Sequence, residues 1–159
     1  MRFKFILFLL LFGTAVQAQE ERDTTLRTCP ISITDTVSNN NYFIAALPSI
    51  LKVYRVKGKL TVAVEQRSQY FSLYFHAKNL KSGTYKFKPG SRKNKEIEGI
   101  YSFKSGEQAS YISVSEGTVE VSFDSDKKLW HLRIDGLIAN LVQRHVSYFK
   151  AYGDLYLKD

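Results

Sequence analysis

Alternating apolar and polar residues run through most of the chain after Tyr42. Residues 60–64, 71–75, 112–114, 119–123 and 130–134 carry an apolar side chain at every second position. Since successive side chains of a strand point to opposite faces, this period of two is typical of half-buried strands in antiparallel sheets. The residues predicted to form the core are Leu60, Val62, Val64, Phe71, Leu73, Phe75, Ile112, Val114, Val119, Val121, Phe123, Trp130, Leu132 and Ile134.

Turn-forming residues interrupt these segments at short intervals. Gly, Pro, Ser and Asp supply the backbone conformations and local hydrogen bonds that tight turns require. The predicted turns lie at Lys57-Gly58, Lys81-Ser82-Gly83, Pro89-Gly90, Ser105-Gly106, Glu116-Gly117, Asp124-Ser125-Asp126 and Gly136. Many short strands with frequent turns predict an all-β fold, either an antiparallel sandwich or a small barrel of about 8–10 strands.

The C-terminal part continues this pattern less regularly. Residues 137–144 contain enough apolar side chains for two helical turns, but they lack helix caps and lie between strand-like segments, so a strand and a turn are predicted. Residues 147–157 are rich in aromatic side chains and contain Gly153. This glycine predicts a β-bulge in the closing strand.

The N-terminus has the order of a secretory signal peptide. Arg2 and Lys4 precede an unbroken apolar run over residues 5–12, and small residues lead to a cleavage site after Ala18. Charged, apolar and cleavage regions in this order predict a signal peptide over residues 1–18 and export to the periplasm or the extracellular space. The apolar run is much shorter than the roughly 20 residues of a membrane-spanning helix, so no transmembrane segment is expected after cleavage.

The segment after the signal peptide differs from the rest of the chain in its polarity. Residues 19–41 show little periodicity apart from Ile31 and Ile33. They predict a flexible polar leader that contains at most one short strand. Residues 42–159 then form a single all-β domain, which is long enough to bury a core.

Cys29 is the only cysteine of the chain, so no internal disulfide can form. A small exported domain of this kind depends on its core alone for stability. Cys29 also lies far beyond the apolar run and follows Arg27 and Thr28, which argues against a bacterial lipid anchor at this position. A free or partly buried thiol is expected.

The charge of the chain favours anionic partners. Lys and Arg number 23 against 15 Asp and Glu, which gives a net charge of +8. Loss of Arg2 and Lys4 with the signal peptide leaves about +6. Such a charge is an argument about association rather than about fold. Because export separates the protein from nucleic acid, acidic glycans and envelope surfaces are the expected partners.

The order of these motifs resembles a group of uncharacterised small all-β domains in secreted and lipid-anchored proteins of Bacteroidota. The resemblance covers about residues 51–158 and rests on hairpin motifs: Gly58-Lys59-Leu60-Thr61-Val62, Ser82-Gly83-Thr84-Tyr85, Gly117-Thr118-Val119-Glu120-Val121 with Asp124 to Lys128, Leu132-Arg133-Ile134-Asp135-Gly136, and a late strand with Gly153. It implies an all-β domain beyond the inner membrane and no established activity. The chain departs from the lipid-anchored members because it lacks a suitably placed cysteine.

A run of basic residues is the first candidate for a binding site. Residues 78–95 contain Lys78, Lys81, Lys86, Lys88, Arg92, Lys93 and Lys95 but no Asp or Glu. The run, and above all Lys86, Lys88, Arg92 and Lys93, could bind an anionic glycan or a membrane surface at short range. The alternative is a solvated strand edge, because exposed lysines keep edge strands from pairing with other chains.

Tyrosines on the face opposite the core are the second candidate. If the predicted core residues point inward, then Tyr70, Tyr74, His76, Tyr111, His131, Arg133, Tyr148 and Tyr152 point outward. Aromatic rings stack on ligands while hydroxyl and basic groups bind them by hydrogen bonds, so this face could hold a glycan or a peptide. The alternative is that the rings only shield their own sheet.

Enzymatic chemistry finds little support in the sequence. His76, His131 and His145 lack the close spacing of metal ligands, so no metal site is predicted. Glu65, Glu120 and Asp135 are not distinguishable from other carboxylates as a glycosidase pair, and Asp124 and Asp126 lack the Gly and Glu of a calcium loop. No phosphate-binding loop, serine nucleophile motif or zinc-protease motif is present. We therefore expect no catalytic residues and no cofactor.

These observations favour a secreted, non-enzymatic binding domain with an anionic glycan or envelope surface as its partner. One alternative is a structural or assembly role in which the domain docks on another envelope protein by strand addition or through its aromatic face. The other alternative is a small-molecule carrier, which requires room inside a barrel.

Overall fold

The computed structural model describes residues 22–142 and 145–158, and this part of the chain is all β. Its ten strands are β1 (Arg22–Leu26), β2 (Ile31–Asp35), β3 (Ser49–Val56), β4 (Lys59–Gln66), β5 (Gln69–Phe75), β6 (Gly83–Phe87), β7 (Glu96–Ser105), β8 (Gln108–Asp124), β9 (Leu129–Val142) and β10 (His145–Lys158). None of the described residues forms a helix that is long and apolar enough to cross a membrane. The all-β prediction is confirmed, while the predicted signal peptide lies outside the described residues.

All ten strands belong to one sheet that curls into a half-barrel. The strand order is β1-β3-β4-β5-β7-β6-β8-β9-β10-β2, with an additional pairing between β7 and β8. Neighbouring strands are antiparallel except for a short parallel pairing of β6 with β7. Of the two predicted architectures, the curled single sheet is therefore closer to the barrel than to the two-layered sandwich.

The two edge strands of the sheet are consecutive in the chain. β1 pairs with β3 at one edge and β2 pairs with β10 at the other, yet only residues 27–30 separate them. Since consecutive Cα atoms lie 3.8 Å apart, Leu26 and Ile31 can be at most about 19 Å from each other. The covalent link therefore holds the two edges close together, and we call the gap between them the seam.

The prediction of a flexible leader over residues 19–41 is wrong for its described part. Residues 22–41 contain β1 and β2, and the side chains of Ile31 and Ile33 are completely buried. β2 pairs with residues 149–153 of β10, at the far end of the chain. Local sequence does not show such a distant partner, although the alternation of Ile31 and Ile33 already marked an inward face.

The core lies on the concave face of the sheet. All the predicted core residues point into it, and most of them are buried. The exceptions lie towards its rim: Ile112 and Trp130 are half-buried, and Phe123 is 38% exposed. At the centre, the ring of Phe87 packs over Gly99 and Gly136, where a Cβ would lie 2.6 and 3.1 Å from ring carbons. Glycines at these two positions make room for the ring.

Gly153 has a different role from the predicted one. β10 pairs with β9 in continuous register, so the predicted bulge at Gly153 is wrong. The side of Gly153 that would carry a Cβ faces the carbonyl oxygen of Pro30 and the backbone of Ile31. Glycine is required there because β2 approaches β10 closely. The irregularity of the sheet instead lies in β8, between Val114 and Glu116.

One end of the half-barrel is filled by the loop of residues 42–48, and we call it the closed end. Phe43 is completely buried there, 6.1 Å from Tyr101 between ring centroids. Tyr42 packs edge-on against Phe149 of β10 at 5.4 Å. The loop thereby joins β7 to β10 through aromatic contacts.

Glutamine side chains hold the backbone of this loop. Buried Gln66 accepts a hydrogen bond from the Ile44 N–H at 2.7 Å and donates from Nε2 to the Ile44 carbonyl at 2.9 Å. Gln69 donates to the Tyr42 carbonyl at 2.8 Å and accepts from the Tyr101 hydroxyl at 2.6 Å. Burial raises the pKa of Tyr101 to about 12. Aromatic rings thus fill the closed end, and hydrogen bonds from glutamine side chains hold its loop in place.

Candidate functional site

The other end of the half-barrel contains a cavity of about 550 Å³, and we call it the open end. The walls come from β1, β3 and β4 on one side of the seam and from β9 and β10 on the other. Its apolar lining consists of Leu26, Leu51, Val53, Leu60, Leu80, Leu129, Trp130 and Leu157. The concave face of the sheet is therefore apolar here but incompletely filled.

The seam explains why space remains at this end. β2 covers the free side of β10 only over residues 149–153. Beyond Gly153, no described strand pairs with that side of β10, which continues to Lys158. The loop between β5 and β6 reaches the cavity with Asn79 and Leu80 but does not fill it. The two walls thus diverge and leave a groove between them.

The charged residues that line the cavity are all basic. Arg22, Arg55 and Lys158 belong to its lining, and none of the described lining residues is acidic. Arg55 donates through Nη1 to the carbonyl oxygen of Gly58 at 3.2 Å and to that of Lys78. These bonds anchor its guanidinium group between two loops at the cavity. An apolar interior thus adjoins a positively charged mouth.

Trp130 is the only tryptophan of the chain and lies in the cavity wall. It is half-buried and packs against Phe123, with ring centroids 4.8 Å apart. Its indole fluorescence therefore reports on this end of the half-barrel, without interference from a second tryptophan.

The predicted tyrosine-rich face is divided by the strand order. Tyr70 and Tyr74 lie on the convex face of β5, Tyr111 lies on β8, and His131 and Arg133 lie on β9. β7, β6 and β8 separate β5 from β9 in the sheet. Within this set, Tyr70 and Tyr111 are linked in register through Ser102 of β7. The residues therefore form two areas of the convex face and not one platform.

Tyr70 belongs to a polar cluster on the convex face. Its hydroxyl donates to Glu65 Oε1 at 3.0 Å, and Glu65 forms an ion pair with Lys52 at 3.1 Å. The hydrogen bond to Glu65 raises the pKa of Tyr70, and the same carboxylate raises the pKa of Lys52. The polar tip of Tyr70 is therefore already engaged within the sheet.

His131 and Arg133 belong to the second area, on β9 and β10. His131 Nε2 lies 2.7 Å from Asp154 Oδ1, and its ring stacks on Tyr156 with centroids 4.7 Å apart. Arg133 lines a shallow depression of about 310 Å³ together with Asp135, Lys150, Tyr152 and Asp154. The structure thus brings these two predicted residues together with others from β10.

One carboxylate, that of Glu96, lies beside the strand part of the basic run. Lys86 lies in register with Glu96, and the Lys88 ammonium group is 3.9 Å from Glu96. A hydrogen bond from Ser91, assisted by the positive charges of Lys88 and Lys93, lowers the pKa of Glu96. The first residue of β7 thus places one negative charge next to Lys86 and Lys88.

The remaining predicted residues lie near this group. Arg92 and Lys93 are exposed in the loop before β7. His76 follows β5, and its electrostatic effect also lowers the pKa of Glu96. Its Nε2 is buried without a hydrogen-bond partner among the described residues. The described part contains no cluster of three or more His, Cys, Asp or Glu side chains that could hold a metal ion.

Cys29 is a buried, free thiol in the link between the two edge strands. Its N–H donates to the Ala45 carbonyl at 3.0 Å. Burial raises the pKa of the thiol, which keeps it protonated at neutral pH. The expectation of a free or partly buried thiol is confirmed.

Comparisons with protein-family models, curated proteins and solved structures found no match. The resemblance to small Bacteroidota β-domains stays a prediction.

The sequence pattern did not identify the cavity, although it contained one signal. In β3, Ser49, Leu51, Val53 and Arg55 share the inward face, so a charged side chain interrupts an apolar series. Such an interruption marks a strand end where the inward face meets solvent. Arg22 gave no comparable signal because its polar segment lacked any apolar alternation.

Proposed function

We propose that this protein is an exported, non-enzymatic binding protein whose ligand is an amphipathic anion held at the open end of the half-barrel. The observation that carries the proposal is the cavity of about 550 Å³, with apolar walls and with Arg22, Arg55 and Lys158 around it. The apolar part of the ligand lies between the two walls, and its anionic group lies near these cations.

The size and lining of the cavity define the ligand class. Small-molecule sites commonly enclose about 300–1,000 Å³ and combine apolar walls with a few polar groups. Each methylene group that leaves water contributes about 0.8 kcal/mol, so a single acyl chain gains substantial affinity in such a cavity. Arginine binds carboxylate and phosphate groups alike. A medium-length acyl chain with a carboxylate or phosphate group meets both requirements.

This proposal corresponds to the carrier that the sequence left as an alternative. An export signal would send the protein to a compartment where acyl anions must cross water between membranes. The anionic glycan predicted from the basic run receives less support, because Glu96 offsets charge next to Lys86 and Lys88. Docking on another envelope protein also stays a prediction.

Titration of the protein with sodium dodecanoate, followed by Trp130 fluorescence and by calorimetry, tests the proposal. We expect saturable binding with a dissociation constant in the micromolar range, about −8 kcal/mol. The bulky substitution Val53→Phe extends from the cavity wall and should weaken binding by about tenfold or more. Val56→Phe, on the opposite face of the same strand and already 45% exposed, is the matched control. Equal binding by wild type and a folded Val53→Phe variant would exclude the cavity as the site.

A second comparison tests the role of charge. Replacing Arg22 and Lys158 by Gln should weaken dodecanoate binding several-fold at low salt and leave the binding of uncharged dodecanol unchanged. The matched control replaces Lys86 and Lys88 on the convex face by Gln. If both double variants weaken dodecanoate binding equally, the effect comes from net charge and the proposed position of the anionic group is wrong.

A further inference from the structure

The convex face of β9 and β10 carries a second feature, a row of tyrosines of which only Tyr156 also borders the cavity. Tyr148, Tyr152 and Tyr156 occupy every fourth position of β10, so all three point outward. They are 46%, 46% and 58% exposed. At about 3.3 Å per residue, neighbouring rings of this row lie about 13 Å apart along the strand. Large apolar ring faces are thus arranged in a line at the surface.

Charged side chains fill the positions between these rings and on the adjoining strand. Lys150 lies 3.7 Å from Asp135 of β9, and Asp154 contacts His131 of the same strand. Arg133 lies in register with Asp154 on one side and with Glu120 of β8 on the other. Each cation therefore has a carboxylate next to it, and the area is polar without a marked excess of charge.

We infer that this face is a binding site for a neutral oligosaccharide. Sugar rings have apolar faces that stack on aromatic rings, and their hydroxyl groups donate and accept hydrogen bonds at adjacent positions. Neighbouring carboxylates and cations supply acceptors and donors side by side, which matches vicinal hydroxyl groups. Compensated charge does not favour an anionic polymer, and the shallow depression of about 310 Å³ beside Tyr152 is open enough for a chain to pass along it.

The geometry also assigns different roles to the tyrosines. Tyr152 borders the depression with Arg133, Asp135, Lys150 and Asp154, so it stacks on the sugar unit that these groups bind. Tyr148 lies in register with Ala139, a small neighbour that leaves its ring uncovered on that side. Tyr156 is covered on one side by His131 and also borders the cavity. Tyr152 and Tyr148 are therefore the residues whose loss isolates this site.

Affinity electrophoresis in native gels tests the inference. The gels contain one soluble neutral polysaccharide each, either an α-glucan, a β-glucan or a mannan, and a further gel contains alginate as an anionic reference. We expect at least one neutral polysaccharide to retard the wild-type protein. The double variant with Tyr148→Ala and Tyr152→Ala should lose about tenfold in affinity for it. Tyr74→Ala with Tyr111→Ala, two tyrosines of the other convex area, is the matched control and should be retarded like wild type.

Three outcomes would overturn the inference. They are absence of retardation by all the neutral polysaccharides, retardation that survives in the double variant, and retardation by alginate alone that added salt abolishes. Circular dichroism and urea denaturation show whether the double variant has kept its fold. The site does not depend on the proposed carrier function, because neither Tyr148 nor Tyr152 lines the cavity.

Discussion

The closed and open ends of the half-barrel belong to the same sheet, but a loop fills the closed end and leaves the open end unfilled. At the closed end, the loop of residues 42–48 inserts Phe43 between the walls and fastens its own backbone to Gln66. At the open end, the loop between β5 and β6 contributes only Asn79 and Leu80. A cavity of about 550 Å³ remains there.

The difference shows what is needed to seal a curled sheet. An aromatic side chain fills the space, but the loop that carries it also brings backbone N–H and carbonyl groups, which are costly to bury without partners. Gln66 and Gln69 supply those partners at the closed end. At the open end, Arg55 binds carbonyl oxygens of two loops, but a cavity remains between the walls. Stability is therefore concentrated at one end and accessible apolar surface at the other.

Truncation of Phe43, which fills the closed end, should have the largest effect on the free energy of unfolding. Phe43→Ala removes a completely buried ring that contacts Tyr101, and we expect the free energy of unfolding to fall by about 3–5 kcal/mol. Phe123→Ala, which removes an exposed ring at the open end, should cost about 1 kcal/mol or less. Urea denaturation measures both. Equal losses would show that the two ends are not stabilised differently.

Removal of the Gln66 side chain should have the next largest effect on stability. Gln66→Ala leaves the half-buried Ile44 N–H without its partner, while the Ile44 carbonyl keeps the hydrogen bond from the Leu47 N–H, and we expect a loss of about 2 kcal/mol. Hydrogen exchange at the Ile44 amide should accelerate together with this loss. Asn79→Ala at the open end should change neither quantity, so an equal effect of that substitution would contradict the assignment.

Alkaline pH should weaken the closed end selectively. The pKa of Tyr101 is raised from 10.0 to about 12 by burial, so the unfolded chain loses this proton first as pH rises. The corresponding stabilisation is fully present below pH 10 and is lost between about pH 10 and 12, by up to about 2 kcal/mol. Tyr101→Phe should therefore show a shallower fall in stability between about pH 9.5 and 11 in urea denaturation. Equal slopes would show that burial does not control this titration.

Truncation of the cavity wall should destabilise the protein less than truncation in the buried centre. Leu60 is buried but borders a space that is already open, so for Leu60→Ala we expect a loss of about 2 kcal/mol, at the lower end of the range for a buried leucine. Leu73→Ala, in the completely buried part of the neighbouring strand, should cost about 2–5 kcal/mol. If both substitutions cost the same in urea denaturation, the open end is packed as tightly as the centre.

Local alternation was sufficient to predict most of the strands and most of the core. The predicted turns at Glu116-Gly117 and Gly136 are wrong, because these residues lie inside β8 and β9. Val62, Leu73 and Ile134 all lie on the concave face as their period of two indicated. Phe123 shares that face but is exposed because it lies at the end of β8. The alternation alone did not show where this strand ends. Whether a segment forms a strand follows from its neighbours in sequence. How deeply a side chain is buried depends on the strands that pack around it.

The seam and the cavity could not be predicted because they depend on contacts between distant parts of the chain. Gly153 was interpreted as a bulge, but the approach of Pro30 and Ile31 is what requires it. The sequence correctly placed Lys86 and Lys88 on one face of a strand. Their contact with Glu96 could not be predicted, because it requires the pairing of β6 with β7. The sequence alone placed the candidate residues His131 and Arg133 on one strand. Their partners on β10 could not be identified without knowing that β9 pairs with β10.

The link between the edge strands has a consequence for the order in which the protein folds. β3, β4 and β5 follow one another in hairpins and can pair as soon as they leave the ribosome. β2 emerges before all of them, yet its partner is residues 149–153 near the C-terminus. A contact between such distant segments carries a large loop-closure cost and forms slowly. Until the last strand arrives, Ile31 and Ile33 have no sheet to cover them, so the half-barrel closes only when the chain is nearly complete.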